Sequence, residues 1–262
     1  MNLYMFVPQW KEWYEGLKKV KNLKFVDNID ISNLTENDII IPSNVDNTLF
    51  VIGNLVNKTK AKFLCGDSLD NVKIFNNKAV FSIYCIDNNL GDIVPITYVI
   101  CVEGNRYGIN DLKYPNILKP SESYAGTDIV VFGNEVKDFK IKQQNYIIQE
   151  FILGVDHVGM FYVKDGKIIV SYYYCDDAKR SDIYITQGKI LNPKRRDDLR
   201  IHNNLFERLF IPMNYTGFAT VDFRITPDDK IKIFEVNPRL GGTILASGEL
   251  NDFIYGIMEK IC

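Results

Sequence analysis

The dipeptide Asp165-Gly166 constrains this chain more than any other feature. It separates two β-rich runs, 158–163 and 167–173, that read as paired strands. A period of two puts successive side chains on opposite faces of a strand. Asp-Gly supplies the positive φ that a two-residue hairpin needs. The segment is therefore expected to fold back as an antiparallel hairpin. A second pair repeats the design, with 216–225 and 230–236 flanking the turn residues Pro227-Asp228-Asp229. A helix is expected between them over 197–210, ending before Pro212, and a terminal helix over 251–261. Hairpins mixed with helices make the second part of the chain an α+β arrangement.

The first part reads differently. Trp10, Trp13, Tyr14 and Leu17 share one face of a helix expected over 10–20. Short β-like runs at 25–26, 38–41 and 48–52, with a further strand at 61–64, are separated by helical stretches. That is the pattern of a small α/β unit with a parallel sheet. A helix is expected over 76–89, with Gly91 as its stop. Strands are expected over 97–103, 116–119 and 129–132, a polar loop over 120–127, a short helix over 134–143, and a β-rich run over 146–152. The stretch 176–192 is polar and without period. Boundaries near 75 and 145 give a short N-terminal α/β domain (1–75), a small middle unit (76–145) and a C-terminal unit (146–262).

Composition narrows the function classes. Of 262 residues, 46% are hydrophobic and 24% charged, the balance of a packed soluble protein. A net charge of -2 gives no field that would recruit nucleic acid or an anionic membrane. Five scattered cysteines without a CxxC pair fit free thiols in a reducing compartment. His157 and His202 lack metal-ligand spacing and read as ordinary packed or surface side chains. The apolar start, 1–7, meets Pro8 and has no charged leader, and the longest apolar run, 93–102, is too short for a bilayer. A cytoplasmic protein is expected.

Three segments can do chemistry. On the second hairpin, Asp222 and Arg224 share one face, and Glu235 and Asn237 share a face of the neighbouring strand. Phe223, Phe234 and Val236 are expected to point into a core. Two close carboxylates and an amide oxygen suit a hard cation such as magnesium. An ordinary polar face, with a pair such as Asp222 to Lys232, is the plainer reading of the carboxylates alone. Gly241-Gly242 then lets backbone approach a ligand. The second segment is Lys119, which closes an apolar strand before the small-residue loop Ser121-Glu122-Ser123-Tyr124-Ala125-Gly126-Thr127. Loop N–H groups and a lysine suit phosphates. The third is 146–152 with Leu153-Gly154-Val155-Asp156, a strand passing into a turn that ends in an acid.

In this order, Lys119 with its loop, Gln149-Glu150-Phe151-Ile152-Leu153-Gly154, and Asp222…Glu235-Val236-Asn237-Pro238-Arg239 resemble the ATP-grasp superfamily over residues 75 to 245. The stretch 234–243 is similar to the carboxylase and carbamoyl-phosphate branches. The resemblance implies an ATP-grasp fold behind a short pre-ATP-grasp α/β domain. By position, Lys78 and Lys119 would meet ATP phosphates, with Lys73 as the rival for the first lysine. Ser123, Ala125 and Gly126 would form the loop over the phosphates. Glu150 and Ile152 would flank the adenine, Gln149 and Phe151 would belong to the same ATP-binding strand, and Asp156 would hold the ribose. Asp222, Glu235 and Asn237 would bind magnesium, with Glu235 bridging two ions. Arg239 or Arg224 would act catalytically on the transferred phosphate. The loop holds one glycine, Gly126, where relatives often have more, and the first domain is short.

The resemblance further implies an ATP- and Mg2+-dependent ligase. A small-molecule or peptide carboxylate would be activated as an acyl phosphate and captured by an amine or other nucleophile. The alternatives are a small-molecule kinase on the same fold and a non-catalytic ATP-binding module. Lys179 and Arg180 read as exposed charges. Neither nucleic acid nor membrane is expected as a partner, and the short first domain leaves room for an oligomer or a partner protein.

Overall fold

The computed structural model describes residues 2–7, 14, 17, 20–66, 68–103, 105–108, 114–123, 128–133, 145–176, 190 and 192–261. The chain begins with a parallel sheet. Strands β1 (Asn2–Phe6), β2 (Leu23–Val26), β3 (Asp38–Ile41) and β4 (Lys62–Phe63) lie in the order β2-β1-β3-β4, with every pair parallel. The apolar start of the chain is thus a strand inside the sheet. The helix expected over 10–20 lies almost wholly outside the described residues.

Residues 48–52 are helical and not extended, a correction to the β-like reading. They belong to α1 (Val45–Asn54). The Asn44 side chain accepts from the Asn47 N–H at 2.8 Å, and the Thr48 hydroxyl donates to the Asn44 carbonyl at 2.9 Å. An asparagine cap of this kind is worth about 1 kcal/mol. Buried Val45, Thr48 and Val51 recur at helical spacing. The cap and the buried stripe override the β-branched composition.

Two helices follow, α2 (Leu69–Asn76) and α3 (Lys78–Asp87). Asn77 separates them, and its side chain caps α3 by accepting from Ala79 and Val80 N–H. The helix stops earlier than Gly91: Asn88 is the C-cap and Asn89 takes the left-handed φ of 55°.

The middle sheet holds β5 (Thr97–Val102), β6 (Asn105–Gly108), β7 (Asn116–Pro120), β8 (Val130–Phe132) and β9 (Tyr146–Glu150) in the order β6-β5-β9-β7-β8. All of its pairs are antiparallel. The helix expected over 134–143 lies outside the described residues.

The C-terminal sheet contains β10 (Val155–Lys164), β11 (Lys167–Asp176), β12 (Pro193–Arg195), β13 (Gly217–Ile225) and β14 (Ile231–Asn237), in the order β12-β11-β10-β13-β14. Both hairpins form as expected, and Asp165 and Gly166 take φ of 51° and 77°. The single helix expected over 197–210 is a 3-10 turn, Asp197–His202, followed by α4 (Asn203–Phe210). Pro212 sits inside a further short turn, Ile211–Met213. The chain closes with α5 (Thr243–Ser247) and α6 (Leu250–Ile261). No helix among the described residues is long and apolar enough to cross a membrane.

Two cores position the site. On one face of the C-terminal sheet, Val158, Met160, Tyr162 and Phe218 pack with Leu3, Met5, Ile39 and Ile41 of the N-terminal sheet. On the other face, Phe161, Tyr173, Phe223 and Val236 pack with Phe206, Leu209 and Phe210 of α4. Helix α3 touches two units. Its Ala79 packs with Ile100 and Ile147 of the middle sheet, while Phe81 and Cys85 join the core beneath β14. Its first residue, Lys78, therefore stands where the two sheets meet.

Candidate active site

The carboxylates of the second hairpin are brought together by register. Asp222 pairs with Glu235, and Thr220 with Asn237. The Asn237 amide N–H donates to Asp222 Oδ2 at 3.2 Å. The pairing then slips, because Phe223 lies opposite Ile233, so Phe234 is an extra residue on β14. This bulge corrects the expectation that Phe234 points into the core. Ile233 and Val236 are core residues, whereas the Phe234 ring lies under the Lys119 ammonium, 4.9 Å from the ring centroid.

Two lysines face these groups from other elements. Lys78 is 5% exposed, and its Nζ lies 3.1 Å from Glu235 Oε1 and 3.4 Å from Ser123 Oγ. Lys73, the rival for this position, is exposed on α2. Lys119 is the penultimate residue of β7 and is 6% exposed. Its ammonium donates to Gln149 Oε1 at 3.3 Å. The Gln149 amide N–H donates in turn to Thr97 Oγ1 at 2.9 Å and Ser82 Oγ at 3.4 Å. The Ser82 hydroxyl donates to the Lys78 carbonyl at 2.8 Å. Gln149 thus ties the lysine strand to the lysine helix. Ser82 lies one helical turn beyond Lys78, a spacing that could have disclosed it. Nothing in the sequence around Thr97 marked it.

The start of the loop after Lys119 is fixed to α3. The Lys78 N–H donates to the Ser121 carbonyl at 2.8 Å, and the Asn77 amide to Glu122 Oε1 at 2.8 Å. The Ser121 hydroxyl is buried and meets no hydrogen-bond partner among the described residues. A buried hydroxyl without a partner is costly unless a ligand satisfies it. Ala125, Gly126, Lys179 and Arg180 lie outside the described residues.

Asp156 and Arg224 are register partners on β10 and β13, and both are buried. Arg224 Nε donates to Asp156 Oδ1, and Nη1 donates to the Ile152 carbonyl at 2.6 Å. The guanidinium lies 5.0 Å from the Phe151 ring centroid. These contacts fasten the link between the middle and C-terminal sheets to β13. The Glu150 carboxylate accepts from the Ile96 N–H at 3.3 Å. Phe151 and Ile152 are buried. Arg239 is half-buried, and its Nη1 donates to the Leu240 carbonyl at 3.1 Å. Its own carbonyl accepts from Thr220 Oγ1 at 2.7 Å. A Cβ on Gly241 would stand 2.6 Å from Thr220 Cγ2. The missing side chain at 241 therefore serves close packing against β13.

Lys232 does not pair with Asp222. Its ammonium donates to the carbonyls of Asp92 and Val94 at 3.0 and 3.1 Å. His157 is buried with its ring stacked on Phe223, and burial pulls its pKa down.

Burial and mutual proximity perturb the charges of this cluster. Burial, with Glu235 and then Asp156 nearby, pushes Asp222 up to about 8. Burial pulls Lys119 down to about 8, against the pull of Glu235. Two carboxylates that resist sharing negative charge accept it readily beside a divalent cation. Among the described residues, no three His, Cys, Asp or Glu side chains converge on one point. A cation here would take Asp222, Glu235 and Asn237 as its protein ligands. Phosphate oxygens and water would complete the shell, as suits magnesium.

The profile of one family, the ATP-grasp domain, matches residues 95–243. Solved structures share the fold at low identity. A D-alanine–D-alanine ligase from Bacillus anthracis superposes with a TM-score of 0.65 at 13% identity, covering 99% of this chain and 96% of that one. A biotin carboxylase from Campylobacter jejuni gives 0.64 at 15% identity, covering 99% and 70%. An N5-carboxyaminoimidazole ribonucleotide synthetase from Thermotoga maritima gives 0.61 at 14%, covering 98% and 76%. Among curated protein sequences, none matches.

Proposed function

Since this chain belongs to the ATP-grasp family, we propose that it is a magnesium-dependent ligase that joins a carboxylate to an amine or a similar nucleophile at the expense of ATP. The observation that carries this reading is the meeting of Asp222, Glu235 and Asn237 of β13 and β14 with Lys78 of α3 and Lys119 of β7. The names of the structural neighbours, two ligases or synthetases and a carboxylase, support the same class.

In this reading a substrate carboxylate oxygen attacks the γ-phosphorus and the bond to the ADP oxygen breaks. The nucleophile then attacks the carbonyl carbon of the acyl phosphate, and inorganic phosphate leaves with the bonding pair. Bound magnesium supplies charge neutralisation at the phosphates. Lys78 and Lys119 add to it, and the buried ammonium of Lys119 acts in a medium that screens it weakly. The Ser121 hydroxyl and the loop that follows it receive phosphate oxygens. Arg224 holds the Phe151–Ile152 link in place, and Arg239 is the candidate guanidinium for the transferred phosphate or the carboxylate. Asp156 remains the candidate for the ribose, held by Arg224.

The test is to incubate the protein with Mg-ATP and pools of carboxylates, with and without amines, and to follow ADP and phosphate. Release that requires both an acid and an amine is expected. A phosphorylated product formed without an amine would replace the ligase with a kinase. Binding without turnover would leave a nucleotide-binding module.

A further inference from the structure

We propose that Lys78 couples the divalent cation to the nucleotide, by holding Glu235 until an anionic ligand at the Ser121–Ser123 loop draws its ammonium away. This rests on the nucleotide reading above and adds an order and a linkage to it.

The geometry places one ammonium between two customers. Lys78 Nζ lies 3.1 Å from Glu235 Oε1 on one side and 3.4 Å from Ser123 Oγ on the other. A cation that uses Glu235 must share that carboxylate with a neighbouring positive charge or displace it, and like charges so close, beside a buried ammonium, repel. Displacement needs no rearrangement of the backbone. The Lys78 N–H is fixed to the Ser121 carbonyl at 2.8 Å, and the Asn77 side chain caps the helix. The lysine Cα is therefore anchored, while its four-carbon stem can turn. The loop that would receive an anion is anchored at the same point, through Asn77 to Glu122 at 2.8 Å. Turning from Glu235 toward the loop keeps the ammonium bonded throughout.

Linkage makes the effect reciprocal. A phosphate that attracts Lys78 frees Glu235 and strengthens cation binding. A cation on Glu235 pushes Lys78 toward the loop and strengthens phosphate binding by the same factor. Lys119 is the internal comparison. It carries charge in the same cleft, but its ammonium is bonded to Gln149 and lies over Phe234.

The experiment titrates Mn2+ alone, read by the electron paramagnetic resonance of free Mn2+, into wild type, Lys78→Met and Lys119→Met. ATP affinity is then measured in Mn2+ and in EDTA. Lys78→Met should bind Mn2+ alone about tenfold more tightly than wild type. Its ratio of ATP affinities, with and without Mn2+, should fall by a similar factor. Lys119→Met should show a distinctly smaller gain and keep the wild-type ratio. Lys78→Gln repeats the test if the methionine variant folds poorly. Equal gains in both variants would reveal a general charge effect and overturn the coupling, as would an unchanged ratio in Lys78→Met. If wild type binds no ATP in either condition, the nucleotide reading itself falls.

Discussion

One face of the C-terminal sheet has two ends that behave in opposite ways. Phe218, Thr220, Asp222 and Arg224 follow one another along β13, and Tyr162, Met160, Val158 and Asp156 lie opposite them on β10. At the Phe218 end the face is apolar and sealed by Leu3, Met5 and Ile39 of the N-terminal sheet. At the Asp222 end it carries buried charge, answered by lysines from α3 and β7. The first end is built for stability. The second holds groups whose burial is unfavourable without a ligand, and such groups concentrate at functional sites.

Substitutions at the two ends should therefore separate stability from binding. The largest effect is expected at the sealed end. Ile39→Ala empties a fully buried position and should cost about 2–5 kcal/mol in denaturant unfolding. ATP affinity of the folded protein should stay within error, and a parallel loss of affinity would join the two ends into one unit. Lys119→Met should do the reverse. Losing a charged donor should weaken ATP roughly 10- to 100-fold, from about 1.5–3 kcal/mol, while adenosine affinity barely changes.

A smaller effect is expected from pH. Asp222 is raised to about 8 in the folded protein, so the folded state holds a proton that the unfolded state releases near the ordinary carboxylate range. Its contribution is full below that range and is lost as pH rises toward about 8. Lys119, lowered to about 8, acts in the other direction at higher pH, where stability should recover between about 8 and the ordinary lysine range. Melting curves without divalent cation should show the first decline in wild type and a flatter profile in Asp222→Asn. Saturating Mg2+ should flatten wild type as well. The smallest effect belongs to Asn44→Ala, which removes the cap of α1 and should cost about 1 kcal/mol with no change in ATP affinity.

The comparison also explains what was legible in the sequence. Asp165-Gly166 and Pro227-Asp228-Asp229 are local turn signals, so both hairpins and the pairing of Asp222 with Glu235 could be read directly. The bulge at Phe234 could not, because a period of two has no place for an extra residue. Nor could the helix over 48–52, where the Asn44 cap outweighs a β-branched run. Lys78, which the family resemblance favours over Lys73, is carried to Glu235 by α3. Ser82 and Thr97 were invisible because they act through Gln149, a contact set by tertiary packing. Arg224 looked like a catalytic group beside Asp222, but its bonds run to Asp156 on β10 and to the Ile152 carbonyl in the link before it, both far away in sequence.

The central claim is that the charged end of this face is a magnesium-nucleotide site. Calorimetric titration of ATP in Mg2+ and in EDTA, for wild type and an Asp222→Asn/Glu235→Gln double variant, tests it most directly. Wild type should bind ATP in Mg2+ and lose most of that affinity in EDTA, and the double variant should show weak binding in both. Equal affinity of the two proteins, with the same dependence on Mg2+, would contradict the claim.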